Sequence, residues 1–187
     1  MPSKNVVTPE FRVSYPNLFE PRLNDLNGKQ EYSLVALFPK GADLAPLKKA
    51  ANDLLVEKLG ADKAKWPKNL RNPFRDQAEK EKEGKLPDGH EAGAIFINMK
   101  ATQRPGIVDQ NVQPIMDQTQ VYAGCFGRAQ VNPFYYNQKG NCGISFGLNN
   151  FQKTKDGDSL SGRVRAEDAF EPVAGAAGGD DNSDPFA

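Results

Sequence analysis

The chain has 187 residues, 38% of them hydrophobic and 26% charged, with 24 basic against 24 acidic side chains. That is enough apolar material for one core, and no apolar run approaches the roughly 20 residues that cross a bilayer as a helix, which excludes a helical membrane protein. The zero net charge conceals an asymmetry, because residues 1–173 carry 24 basic against 21 acidic groups and the remaining acids cluster at the end, an arrangement familiar in nucleic-acid binders that regulate their own surface.

The opening MPSKNVVTPEF has no apolar signal segment, so the expectation is a cytoplasmic protein whose Cys125 and Cys142 are reduced and buried rather than bridged. EFRVSYPNLFEP begins as an alternating strand and is expected to stop at its prolines, and QEYSLVALFPK is an apolar strand ended by Pro39. The clearest helix is DLAPLKKAANDLLVEKLG. Asp43 can cap it, Leu44, Leu47, Ala51, Leu54, Leu55 and Leu59 form an apolar stripe, and Gly60 ends it. Residues 61–93 are polar, charged and broken by Pro67, Pro73 and Pro87, which predicts a long surface excursion with a short helix near Gln77 to Lys82. Three strands follow, AIFINMK, QVYAGCFGRAQV and CGISFGLNNFQK, with the Asn-rich turn NPFYYNQKGN joining the last two as a hairpin. KDGDSL then turns and RVRAEDAFEPV leads outward. Residues 174–187 carry Asp180, Asp181, Asp184 and Phe186 behind a run of Ala and Gly, too polar and too charged to offset ordering entropy. The organisation expected is a single domain over 1–173, with 61–93 as an insertion, and a disordered acidic tail over 174–187.

Strand periodicity divides the late strands into two faces. Val121, Ala123, Cys125, Gly127, Ala129 and Val131 make a core face, as do Ile95, Ile97 and Met99, and Ile144, Phe146 and Leu148. The opposite faces carry Phe96, Asn98 and Lys100, then Tyr122, Gly124, Phe126, Arg128 and Gln130, then Gly143, Ser145, Gly147, Asn149, Phe151 and Lys153. Aromatic rings interleaved with cations, beside glycines that allow close approach, suit a single-stranded nucleic acid, whose bases stack and whose phosphates need positive charge. Phe96, Tyr122, Phe126 and Phe151 are the expected stacking rings, and Arg12, Lys100, Arg104, Arg128 and Lys153 the expected phosphate partners. The alternative is that Phe96, Tyr122 and Phe126 form a second small core under the 61–93 excursion.

Tyr135 and Tyr136 beside Lys139 could clamp a base at the hairpin tip or stiffen the turn. Trp66 among Lys63, Lys65, Lys68 and Arg71 could stack or could anchor its loop, and His90 beside Asp88 and Glu91 reads as an exposed loop residue. One His and two distant Cys make no closely spaced zinc pattern, and neither a GxxxxGK phosphate loop nor a serine nucleophile elbow occurs. Enzymatic chemistry, a metal and a cofactor are therefore not expected.

RVSYPNLFEP, YSLVALFPK, GAIFINMKATQRPGIVD, VYAGCFGRAQVNPFYYN, GISFGLNNFQKTKDGDSL and the tail together resemble a family of bacteriophage single-stranded DNA-binding proteins, in the same order and over most of residues 10–162. The resemblance implies a mainly β chain with helical insertions, built as an OB-type antiparallel β-barrel. DDNSDPFA is also similar to the acidic tips of bacterial and phage single-strand binders. In those proteins the tip recruits replication and repair partners and competes with DNA, which implies the same for Asp180, Asp181, Asp184 and Phe186. One departure is visible: the usual OB barrel has its helix between the third and fourth strands, whereas the strongest helix here follows the second. Either the first segment holds two strands or the fold is decorated there.

The expected function is sequence-independent binding of single-stranded DNA during phage replication or recombination, with replication or recombination proteins as tail partners and no membrane. A structural virion protein is a second reading, since such proteins also combine β-domains with neutral charge. A metal-dependent nuclease is a third, but Asp88, Asp109, Asp117 and Asp156 all fall in expected turns rather than in one pocket.

Overall fold

In the computed structural model, which describes residues 5–164 and 166–173, the strand that begins at Phe11 runs straight through both of its prolines. After a short β1 (Val6–Val7), β2 spans Phe11–Asn24 and pairs with β3 (Lys29–Leu37). The register of that pairing slips between Ser14 and Asn17 and again between Asn17 and Arg22. Pro16 and Pro21 fall in the slipped stretches, where the ladder asks for no N–H, and Tyr15 bends the strand with a φ of 44°. The expected stop at the prolines is thus corrected: bulges convert them into bends of one long strand.

The elements that follow are α1 (Ala45–Leu59), β4 (Arg75–Asp76), β5 (Ile95–Ala101), β6 (Gly106–Val108), β7 (Phe126–Gln138), β8 (Asn141–Lys155) and α2 (Ala166–Ala169). β3 pairs antiparallel with β5, β8 antiparallel with β7, and β7 antiparallel with β2. The ring β2-β3-β5-β8-β7 is closed by a parallel pairing of β5 with β8, Met99 opposite Phe146 and Lys100 opposite Gly147. This is the mainly β barrel of the OB type that the resemblance implies, with one parallel pair among antiparallel ones. β7 and β8 are joined by a tight turn at Lys139 and Gly140, both at positive φ (52° and 81°), as a two-residue hairpin turn requires. Residues 132–138, read from sequence as turn, are strand.

The barrel interior takes the predicted core face of β7, with Cys125 just before it and Ala129 and Val131 within it, together with Ile144, Phe146 and Leu148 of β8. Phe11 meets Phe38 edge-on at 5.4 Å and Phe151 at 6.2 Å. Cys125 and Cys142 are free and buried, and burial pushes the Cys125 thiol up. α1 lies between the second and third barrel strands, so the fold is decorated there and the first segment is one strand. Its cap differs slightly from expectation. Leu44 occupies the cap position, Asp43 accepts from the Ala45 N–H at 3.1 Å, and Pro46 sits in the first turn, where its missing N–H costs nothing. Leu44, Leu47, Ala50 and Ala51 are buried, and Leu54 and Leu55 pack partly against the same core.

The 61–93 excursion contains 3-10 turns at Lys63–Lys65 and Gln77–Lys80 instead of an α-helix. It is fastened by Gln77, which is 1% exposed. Its Nε2 donates to the carbonyls of Phe38 and Ile95, both at 2.9 Å, and its Oε1 accepts from the Glu91 N–H at 2.7 Å. Phe96 lies beneath this excursion at 0% exposure, with Arg75 and Lys80 over its ring at 5.1 and 4.9 Å. For Phe96 the second-core alternative therefore holds.

A second fastening ties the chain after β8 back onto the barrel. The Tyr122 hydroxyl donates to Asp156 Oδ1 or the Gly157 carbonyl, at 3.0 and 2.9 Å, and accepts from the Gly157 N–H at 3.1 Å. Lys153 Nζ meets Asp156 at 2.6 Å and lies 5.5 Å from the Tyr122 ring centre. Arg12 donates to the carbonyls of Gly124 at 3.2 Å and Asp158 at 2.7 Å, and its guanidinium covers the Phe126 ring at 5.5 Å while Lys155 approaches it at 4.7 Å. Gly124 is required here, because its φ is +116° and a Cβ would fall 2.0 Å from the Asp158 oxygen.

Both fastenings make predictions. Gln77→Leu leaves buried backbone groups without a partner and lowers stability by about 1–3 kcal/mol, read as a fall of several degrees in thermal midpoint. Tyr122→Phe removes one hydroxyl shared among three groups and lowers stability by about 1 kcal/mol. Oligonucleotide affinity of the folded fraction of a Tyr122→Ala protein, which lacks the ring as well, stays unchanged by fluorescence anisotropy; a loss of about 1–3 kcal/mol would mean that the ring belongs to a binding surface.

Candidate nucleic-acid interface

The outer face of the β7–β8 hairpin is built from large residues facing small ones. Phe134 stands opposite Ser145, Tyr136 opposite Gly143, and Asn132 opposite Gly147. A Cβ on Gly143 would lie 2.9 Å from the Tyr136 hydroxyl, and one on Gly147 would lie 2.9 Å from Asn132 Oδ1. Side chains of Tyr136, Arg71 and Asn132 fill the space above those two glycines. Beside them opens a groove of about 690 Å³, lined on β8 by Asn141, Gly147, Leu148 and Asn149 and walled by the β2–β3 loop on one side and by residues 100–104 at the end of β5 on another.

Charge in this groove is one-sided. Lys29, Arg71, Lys100 and Arg104 line it, against the single carboxylate of Glu31. Glu31 is already engaged. Asn24 Nδ2 and Asn27 Nδ2 donate to its two oxygens, both at 2.9 Å. Burial by itself would raise the Glu31 carboxyl, but these amide bonds and the nearby charges of Lys100 and Lys29 outweigh it and hold the group below its ordinary value. Its negative charge is spent on stiffening the β2–β3 loop. Phe134 and Tyr136 supply aromatic faces, and Asn141, Asn149, Gln103 and Gln138 supply amides. Flat rings, an excess of cations and neutral hydrogen-bonding groups around one groove can hold a chain of bases and phosphates without reading a sequence.

Arg71 reaches the groove from the 61–93 excursion. Its N–H donates to the Cys142 carbonyl at 2.9 Å, it bridges in parallel to Gly143, and Asn69 Nδ2 donates to the Gly140 carbonyl at 2.6 Å. Gly143 permits the approach, since a Cβ there would fall 2.8 Å from the Arg71 oxygen.

Of the residues singled out from sequence, the structure brings Lys100, Arg104 and Tyr136 into this groove. Arg104 also lies over the Phe19 ring at 5.4 Å. Lys139 is exposed at the turn between Gln138 and Asn141, which line the groove. Tyr135 points the opposite way and packs partly against the core, as strand alternation requires. Arg128 is exposed, with Nε donating to Gln152 Oε1 at 2.7 Å, and does not line the groove.

Burial corrects two further expectations, and four more residues already have partners within the chain. Phe96 and Phe151 are buried at 0% and 1% and offer no face to a base. Phe151 changes sides because Gln130 pairs with Asn150 while Val131 pairs with Leu148, so an extra β8 residue at 149 forms a bulge and reverses the alternation. Arg12 is held by two backbone carbonyls, and Lys153, 13% exposed, is held by Asp156. Tyr122 and Phe126 are half-buried, with cations already on their rings. Asp180, Asp181, Asp184 and Phe186 lie outside the described residues.

Phe134 and Arg71 were missed by sequence reasoning. Period-2 alternation carried on through NPFYYN would have put Phe134 on the Tyr136 face, whereas Arg71 is placed by a long-range bridge with no local signal. Trp66 anchors its loop, Nε1 donating to the Gly60 carbonyl at 2.9 Å. Among the described residues no His, Cys, Asp and Glu gather into a metal-binding group, and no helix is long and apolar enough to cross a membrane.

A model of the family described as Enterobacter phage Enc34, ssDNA-binding protein, matches residues 4–184. A putative protein p50 of Acyrthosiphon pisum secondary endosymbiont phage 1 is 28% identical over 155 residues, which span 81% of this chain and 83% of that one. In structure the chain is similar to the single-stranded DNA-binding protein from bacteriophage Enc34, solved in complex with ssDNA, with a TM-score of 0.63 and 20% identity over 83% of this chain and 88% of that chain. It is also similar to gp2.5, a single-stranded DNA binding protein encoded by bacteriophage T7, with a TM-score of 0.61 and 12% identity over 88% and 99% of the two chains. At these identities the two structures speak to the barrel alone, while the family match covers nearly the whole sequence. The chain belongs to the Enc34 family of phage single-stranded DNA-binding proteins, a family of binding proteins and not of enzymes.

Proposed function

We propose that this protein binds single-stranded DNA, tolerantly of sequence, along the groove between the β2–β3 loop and the β7–β8 hairpin, and so protects and organises strands exposed during phage replication or recombination. The observation that carries the reading is the charge and lining of that groove: Lys29, Arg71, Lys100 and Arg104 against one engaged carboxylate, with the rings of Phe134 and Tyr136 along its β7 side. The family supports it. Stacking plus charge implies a footprint of about 4–16 nucleotides per barrel.

Titration against oligo-dT and duplex at several salt concentrations tests the proposal. Affinity for oligo-dT falls steeply with salt and exceeds that for duplex. Lys100→Ala and Arg104→Ala each weaken binding and reduce the salt slope by about 1, whereas Tyr136→Ala weakens it by about 1–3 kcal/mol with little change in slope. Salt-independent affinity, or full binding by all three variants, would overturn the assignment of this groove.

The tail extends the proposal. The Ala/Gly run would tether Asp180, Asp181 and Asp184 near the basic groove at an effective concentration of order millimolar, where they mimic phosphates and compete with DNA. Bound strand displaces them and frees Phe186 for an apolar pocket on a replication or recombination protein, with the aspartates meeting basic groups at its rim. Deleting residues 174–187 therefore tightens oligonucleotide binding at low salt, by an amount that shrinks as salt screens the tail over a Debye length of about 8 Å at physiological strength, and abolishes partner recruitment. Unchanged affinity together with retained partners would leave the tail without either role.

A further inference from the structure

The β2–β3 loop contributes a side chain to the groove that the fold does not use. Leu26 is 97% exposed at the loop tip and lines the same groove as Phe134 and Tyr136. The loop that carries it is tied on both sides of the leucine. The Leu26 N–H donates to Asn24 Oδ1 at 3.0 Å, and the N–H groups of Asn27 and Gly28 donate to the Asn24 carbonyl at 3.2 and 2.8 Å. The Lys29 N–H donates to Asn27 Oδ1 at 2.9 Å, and both asparagine amides end on Glu31. A turn alone would be served by any small polar residue at this position. Here the tied backbone instead carries a large apolar group at the groove, almost wholly in water.

We infer that Leu26 is a wedge, its side chain packing against the face of one unstacked base of a strand lying in the groove. The inference rests on the single-strand binding proposed above. A phosphate is the wrong occupant for this tip, because Leu26 carries no donor and its neighbour Asp25 is an exposed acid. A protein partner is also a poor match. Leu23, the nearest exposed apolar neighbour in sequence, lines an adjoining depression that shares Asn24, Glu31 and Lys100 with the groove, and two leucines parted by such polar and charged groups fall far short of the apolar area protein interfaces bury. A single base, by contrast, presents one flat apolar face, and an aliphatic side chain set beside unstacked bases is a recurrent device of nucleic-acid binders.

The test uses the full chain, short oligo-dT, and a short strand carrying the fluorescent base 2-aminopurine, whose emission rises on unstacking. Leu26→Ala weakens oligo-dT binding about tenfold with an unchanged salt slope, because no counterion is released by an apolar contact, and reduces the 2-aminopurine rise. Leu26→Phe retains the affinity of the unsubstituted chain. If Leu26→Ala binds like the unsubstituted chain while Lys100→Ala weakens binding, the wedge is wrong and the groove stands. If Leu26→Ala alters only cooperativity on long strands and leaves short-oligonucleotide affinity intact, the tip contacts a second copy and the wedge is likewise wrong. If the unsubstituted chain binds no oligonucleotide, both the wedge and the proposed function fall.

Discussion

The rest of the structure depends on a parallel contact between β5 and β8 that pairs Met99 with Phe146 and Lys100 with Gly147. Parallel pairing cannot be made by a hairpin, so the chain must travel through β6 and all of β7 before β8 returns to β5. What it gains is closure. Met99 and Phe146 turn inward at 1% and 0% exposure and complete the core, while Lys100 and Gly147 turn outward into the groove. One short seam therefore fixes both the barrel interior and the surface that faces away from it. On either side of the seam the same edge of β8 accepts two more parallel partners, Arg71 at Gly143 and β6 at residues 150–152. The excursion and β6 are extensions of the closure, and through the first of them Arg71 enters the groove.

Aromatic rings and cations occur together in two places, and what distinguishes them is the company they keep. Around Tyr122 and Phe126 the cations Arg12, Lys153 and Lys155 meet carbonyl oxygens, Asp156 and Glu10 at hydrogen-bond or ion-pair distance. Glu10 in turn accepts from the Thr154 hydroxyl at 2.6 Å, which with Lys155 holds its carboxyl below the ordinary value. Every charge there is answered from within the chain, and the outcome is a clasp that returns the segment after β8 to the barrel. In the groove one carboxylate faces four cations and is itself bound by two amides. Positive potential left over in a concave groove is what attracts a polyanion.

Bulges explain how so short a set of strands forms both surfaces. Those in β2 absorb Pro16 and Pro21 and let one strand curve along the barrel. The one at residue 149 of β8 moves Phe151 into the core, where it meets Phe11, and leaves Asn149 lining the groove. The first in β2 and the one in β8 insert one residue, the second in β2 inserts three, and each odd number exchanges the two faces beyond it. An aromatic residue counted outward by strict alternation is thereby carried inward.

Much was legible in the sequence because it depends on near neighbours. The alternation of Ala129 and Val131, and of Ile144, Phe146 and Leu148, marks strands with one buried face, and the Leu and Ala spacing from Leu44 to Leu55 marks a helix ended by Gly60. Local pattern also gives Lys100 an outward face, composition marks Tyr136 as a ring at the hairpin, and the ordered set of segments carries the resemblance to phage single-strand binders. Tertiary structure alone decided which outward residues stay open. Phe96 is covered by Arg75 and Lys80 from the excursion, and Lys153 is neutralised by a turn three residues on. The rings and charges that mark Tyr122 and Phe126 as an expected binding face meet one another in the folded chain. Arg71 and Leu26 acquire their positions from a bridge to Gly143 and from a loop tied to Glu31, respectively. Periodicity reports which way a side chain points from its own strand, but whether another part of the chain lies over it is set by contacts across long sequence separations, and those come into being only when the barrel closes.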